Sequence, residues 1–208
     1  MATQQRYSSS SHGKLIAVVV AAAVVIAVTL LSAFVWPGWA MDKSASEGQK
    51  QQQTTSSTKP VPTTPSIKAK ELPQDATPLL KAMPDSVLNF ARTEAAPSAN
   101  WTSATPIEEY TLTYSTGDLA KDVTLVVAQW SSSDSAKTQY DTLSGALKGT
   151  DVASGDVKVS NNATGKYVVK TTDEKGKTAT AIWQNDTVVF QATGPKDSIQ
   201  RFYSKFPL

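Results

Sequence analysis

Residues 15–36, LIAVVVAAAVVIAVTLLSAFVW, run for 22 positions without a charge, and Thr29 and Ser32 are their only polar side chains. As an α-helix this stretch is about 33 Å long, enough for a hydrocarbon layer of about 30 Å. Both hydroxyls can bond back to helical carbonyls, so neither opposes burial in lipid. The stretch is apolar on every side rather than along one stripe, which suits lipid better than a soluble core. It reads as a membrane-spanning helix.

Charge beside the helix sets its direction. Arg6, Lys14 and the α-amino group precede it with no acidic residue, whereas Asp42, Lys43, Glu47 and Lys50 balance one another after it. The positive-inside rule then keeps residues 1–14 in the cytoplasm and places the remainder of the chain outside. Trp36 and Trp39 fall where an interfacial aromatic belt is expected, and Pro37 ends the helix. The competing reading is a signal peptide cut after Ala40. An apolar region of 22 residues exceeds the 7–15 or so of such peptides, which favours an uncleaved anchor.

The sequence divides into a polar tail (1–14), the span (15–36), a linker rich in Pro, Thr, Ser and Gln (37–75) and a domain (76–208). Pro60, Pro62 and Pro65 favour extended geometry in the linker, which has too few apolar residues for a core and reads as disordered. Cysteine is absent, so disulfides, thiolate nucleophiles and zinc–cysteine sites are excluded. Residues 76–208 carry 13 Lys plus Arg and 14 Asp plus Glu, so the overall excess of positive charge lies in the tail and linker. Without a basic patch interleaved with aromatics, nucleic acid is not an expected partner.

Within the domain, 76–83 suggests a short helix capped by Asp75 or Thr77 and stopped by Pro84. Residues 89–93 suit an edge strand and 95–106 a loop. In 107–114, Tyr110, Leu112 and Tyr114 alternate with Thr111 and Thr113, as in a half-buried strand. Residues 122–130 are apolar on both sides and suit a central strand. Ser133 or Asp134 caps a helix with Ala136, Tyr140, Leu143 and Leu147 on one stripe, ended at Gly149. Short strands follow at 156–160, 166–172, 177–183 and 187–192, with turns at Asn161-Asn162, 173–176 and Asn185-Asp186. Ile199, Phe202, Tyr203 and Phe206 share one side of a last helix. The expected class is α+β: an antiparallel sheet packed by two or three helices.

Residues 126–143 and 188–206 both run strand, loop, Asp-Ser, helix. Asp134-Ser135 matches Asp197-Ser198, and Tyr140 matches Tyr203. Either a strand-strand-helix unit is duplicated or one capping-and-packing solution arose twice.

Catalytic signals are sparse. Glu108 and Glu109 are adjacent on a strand, so they point to opposite faces and cannot act on one substrate; the pair reads as a solvated strand start. No nucleophile elbow or phosphate loop occurs, and the only histidine, His12, lies in the tail. The turn at 173–176 lacks the alternating oxygen ligands of a calcium loop. No catalytic residue, metal site or cofactor is expected. Trp101, Tyr110 and Tyr114 are the aromatic candidates for lining a ligand groove, with Trp101 expected to be the more exposed because it sits in a loop.

In its order of tail, single anchor, linker and small cysteine-free domain, the chain resembles the uncharacterised single-pass envelope proteins of Gram-positive, actinobacterial type. The sheet-with-helices pattern is similar to the PsbP-like α-β-α class. The resemblance implies a membrane-anchored extracytoplasmic interaction or sensor module, acting on an envelope protein or cell-wall partner. A binding domain for a small sugar or lipid is the alternative, and an enzyme the third reading.

Overall fold

A computed structural model describes residues 61–207. The tail, the apolar stretch at 15–36 and the first part of the linker lie outside the described residues. Among those described, no helix is long and apolar enough to cross a membrane.

The sheet comprises β1 (Ser86–Val87), β2 (Phe90–Pro97), β3 (Glu108–Ser115), β4 (Val123–Gln129), β5 (Thr150–Val159), β6 (Asn162–Thr171), β7 (Thr178–Asn185) and β8 (Val188–Pro195). Their order across it is β1-β2-β3-β4-β8-β7-β6-β5, and every neighbouring pair is antiparallel. Three helices pack on it: α1 (Pro78–Ala82), α2 (Ser133–Ala146) and α3 (Lys196–Tyr203). The antiparallel α+β architecture expected from alternation is therefore present.

Period-two alternation sends successive side chains to opposite faces, and both faces are covered. On one, Leu112, Tyr114, Leu125, Val127, Trp183 and Phe190 meet Leu79 and Leu80 of α1 and Ile199 and Phe202 of α3. On the other, Ala128, Ile182 and Val189 meet Ala136 and Tyr140 of α2, together with Trp101 and Trp130. This explains the doubly apolar β4, which is central and covered on both sides. Phe202 is fully buried against the rings of Phe90, Tyr114 and Phe206, and burying such a side chain stabilises by about 2–3 kcal/mol.

Of the local expectations, some hold and others shift. Thr77 caps α1, its hydroxyl accepting from Leu80 N–H, and Ser132 rather than Ser133 or Asp134 caps α2, accepting from Ser135 N–H. The β5–β6 turn is Ser160-Asn161, with φ of 50° and 67° as a type I′ turn requires. Only Ala95, Ala96 and Pro97 of the expected loop at 95–106 join a strand. β5 starts at Thr150, several residues before the expected strand.

The repeat in the sequence does not superpose in space. Val127 faces α3 while its counterpart Val189 faces α2, and Ala128 and Phe190 are exchanged in the opposite sense. A rotation that lays β3–β4 on β7–β8 keeps each residue on its own face, because β3 and β7 flank the central pair from opposite sides. The two helices accordingly lie on opposite sides of the sheet, and what the segments share is local capping and packing.

The packed body also begins earlier than residue 76. Arg201 Nη2 donates to Pro62 O at 2.7 Å, Ser66 Oγ to Thr116 O at 3.3 Å and Lys70 N to Arg92 O at 2.8 Å, and Leu72 packs against the core. A proline-rich chain satisfies none of its own carbonyls, so the domain's donors can fasten it. Part of the segment assigned to linker by composition thus belongs to the folded unit.

Candidate functional site

The three aromatic candidates do not form a site. Trp101 is 7% exposed, Tyr110 8% and Tyr114 0%, and Trp101 lies on the face opposite the two tyrosines. The expectation of an exposed Trp101 is corrected: its ring stacks on Trp130 at 6.1 Å, and Trp130 Nε1 donates to Ala104 O at 2.7 Å, closing the loop over the sheet. Tyr110 shares a hydrogen bond of 3.1 Å with Thr77 at the start of α1, and Tyr114 donates to Pro84 O at 2.8 Å. Burial raises both phenols above their ordinary value, against the lowering by the Thr77 bond at Tyr110 and by Arg92 at Tyr114. These are core residues.

Glu109 is buried, which corrects its reading as part of a solvated strand start. Its carboxylate accepts from Ser98 Oγ at 2.9 Å, Asn100 N at 2.6 Å, Asn100 Nδ2 at 3.0 Å and Trp101 N at 2.9 Å. It organises the loop that seats Trp101. The turn at 173–176 is likewise structural: Asp173 Oδ1 accepts from Thr178 N at 2.7 Å and Thr178 Oγ1 at 2.9 Å, bonds that lower its pKa. Among the described residues no cluster of three or more His, Asp or Glu side chains is placed to hold a metal ion.

What the fold does assemble lies at the far edge of the sheet. β5 pairs with β6 on one side only, and at the outer edge of the order no described strand covers its other side. β1, at the opposite edge, is two residues long, and the Lys70 N to Arg92 O bond lays the chain against β2 beside it. One edge is closed and the other open.

Register places each β5 side chain. Ser154 and Asp156 stand opposite Val168 and Lys166, on the α2 face, while Ala153, Gly155 and Val157 stand opposite Val169, Tyr167 and Gly165, on the α3 face. Irregularities between Asp151 and Ala153 and between Val157 and Lys158 bracket a regular stretch of five residues, 153–157. Gly155 admits the ring of Tyr167, because a Cβ there would lie 3.0 Å from the ring's Cε1. Tyr167 in turn packs on Tyr203 of α3 at 5.9 Å.

On the α2 face, a trench of about 440 Å³ runs between α2 and the β5–β6 hairpin, lined by Tyr140, Ser144, Asp156, Lys166, Val168 and Lys170 among others. Lys170 pairs with Asp151 at 3.3 Å, whereas Asp156 stands opposite Lys166 without closing an ion pair. Burial, then the nearby Asp141 charge, raises the Tyr140 phenol, so it is a neutral donor at ordinary pH. Sequence reading missed this edge because the Gly-, Asp- and Ser-rich start of β5 reads as a loop.

No family model matches the chain, and no curated protein does. Among solved structures, the chain is similar to a GTP binding regulator from Thermotoga maritima, with 8% identity and a TM-score of 0.38, over 56% of this chain and 75% of that one.

Proposed function

We propose that this chain is a non-enzymatic module tethered to a cell membrane by residues 15–36. Residues 1–14 lie in the cytoplasm, and the sheet domain lies outside, where it binds an envelope protein or cell-wall partner. The observation that carries this reading is the asymmetry of the sheet edges: β1 and the crossing chain close one, while ten-residue β5 stays open. An open edge is a ready template for pairing with another chain, and natural proteins close such edges unless they are used.

Cross-linking of the full chain in its native membrane, with lysine-reactive reagent and mass spectrometry, tests it. Links to one partner concentrated on Lys158, Lys166 and Lys170 are the expected outcome. Links confined to remote lysines such as Lys81 and Lys121 would overturn it.

The trench beside α2 supports a second reading. Its carboxylates, ammonium groups and hydroxyls suit a polyhydroxylated ligand such as a sugar, and its volume of about 440 Å³ is within the range of small-molecule sites.

A further inference from the structure

The end of β5 is complementary to itself. From Ala153 onward its residues alternate without a break. Ala153, Gly155, Val157 and Val159 fall on the α3 face, with the three apolar side chains half-buried, and Ser154, Asp156 and Lys158 are exposed on the α2 face. The irregularity after Val157 inserts Thr164 on β6 and leaves β5 itself in step. Among the described residues neither Asp156 nor Lys158 closes an ion pair, although Lys166 stands opposite Asp156 on β6. A two-fold axis perpendicular to the sheet at this open edge lays a second β5 antiparallel to the first and keeps each row of side chains on its own face.

We propose that β5 pairs with β5 of a second copy of this chain, joining two sheets into one about an axis at Val157. Main-chain bonds along the open edge supply the pairing. In this register Asp156 of each copy stands opposite Lys158 of the other, Val157 meets Val157, and Val159 stands beside Gly155. Each Asp156 then lies between two ammonium groups, that of Lys166 on its own β6 and that of Lys158 on the second copy. Moving the axis by one residue sets Asp156 against Asp156 or Lys158 against Lys158, and like charges directly opposite repel. An axis at Gly155 sets Asp156 against Ser154 and makes neither ion pair. Charge therefore selects one register, with residues 155–159 of each copy in the contact and the turn at Ser160-Asn161 closing it.

The proposal rests on the interaction-module reading and names the occupant of its open edge. It also agrees with a tether. Arg201 of α3 donates to Pro62 O, so the chain enters the domain beside α3, and the two-fold axis keeps both α3 helices on one face of the joined sheet. Both anchors can then lead to the same membrane. Confinement there raises the local concentration of copies, which favours so short a strand contact.

The chain has no cysteine of its own, so single cysteines in the full chain, oxidised mildly in isolated membranes, report the register. Val157→Cys sets two cysteines across the axis at Cα separations of about 4.5–5.5 Å, within the roughly 4.4–6.8 Å of a disulfide, and should link the copies. Asp156→Cys should link at least about tenfold less, because its counterpart lies two positions along the strand. Added to Val157→Cys, Asp156→Lys or Lys158→Asp should each reduce linking by a similar factor. Co-expressing the two charge variants with tags of different size should restore a link between them, since each supplies the charge the other lacks. In the unsubstituted chain in non-ionic detergent, amide hydrogen exchange across 155–159 should slow as protein concentration rises. Equal linking through residues 156 and 157, linking indifferent to the charge variants, or exchange independent of concentration would overturn the proposal. If copies fail to link while lysine cross-links gather a different protein on Lys158, Lys166 and Lys170, self-pairing falls and the module reading stands.

Discussion

Arg92 and Tyr114 converge on one carbonyl: the guanidinium donates to Pro84 O at 3.1 Å and the phenol at 2.8 Å. The same guanidinium also holds Met83 O at 3.0 Å, Lys70 O at 3.1 Å and Asp85 Oδ1 at 2.7 Å, with only 2% of its side chain exposed. It fastens the end of α1 and the incoming chain to β2. Arg92→Met removes the side-chain donor from Met83 O and Lys70 O, with Pro84 O keeping that of Tyr114, and should cost on the order of 3 kcal/mol in chemical denaturation. Arg92→Lys should recover only part of this, because an ammonium cannot span carbonyls on both flanks. Tyr114→Phe, which leaves Pro84 O its arginine donor, should cost about 1 kcal/mol.

Tyr114 also sets an alkaline limit. Burial raises its pKa in the folded state above the ordinary value of 10.0, so the fold favours the neutral phenol. Stability from this group is complete below the unfolded value and falls as pH rises past it, because only the unfolded chain can then release the proton. The decline should approach about 1.4 kcal/mol per pH unit per tyrosine so affected. Thermal melts between about pH 9 and pH 12, with phenolate absorbance followed in parallel, should show Tyr114 ionising together with unfolding. A shallower decline in Tyr114→Phe is the check.

Glu109 supports Trp101 through four hydrogen bonds, two of them from backbone N–H groups. Glu109→Ala orphans those donors and should cost about 2–4 kcal/mol. It should also loosen the Trp101–Trp130 stack, read as a red shift in tryptophan emission. Glu109→Gln keeps one acceptor oxygen and should lose less on both counts.

These residues also mark how far the sequence could be read. Tyr110, Leu112 and Tyr114 announced β3 because one buried face imposes period two on the chain. The apolar run of β4 announced a strand covered on both sides. Glu109 and Trp101 were misread for a common reason: the loop that carries Trp101 folds back on the strand that carries Glu109, and such a contact leaves no periodic trace. Arg92 was overlooked because a charge in a strand ordinarily marks a solvated position, whereas here three carbonyls and a carboxylate enclose it. Only the end of β5, from 156, was read as a strand, because an edge strand buries little and the pattern that betrays other strands is weak there.

Two glycines should respond oppositely to alanine. A Cβ on Gly165 would lie 2.1 Å from Gln184 O, where β6 and β7 approach closely, and Thr164 O accepts from Asp186 N at 2.8 Å beside it. Gly165→Ala should cost about 1–3 kcal/mol and speed exchange of the Asp186 amide. Gly145 lies within α2 with open space around the added methyl, so Gly145→Ala should stabilise by roughly 0.5–1 kcal/mol. Thermal denaturation of the two variants side by side checks both signs.

The stitches along 61–70 have a mechanical consequence. A pull at residue 61 meets the Pro62–Arg201 bond first, Ser66–Thr116 next and Lys70–Arg92 last, and the first two lie at the exposed surface while Arg92 is buried. Loaded one after another, they give way by peeling, which takes less force than shearing them together. Freeing the nine residues from Pro62 to Lys70, eight steps of the chain, would let out up to about 27 Å before tension reached the sheet. The domain carries its own slack, paid out under load before its core bears any.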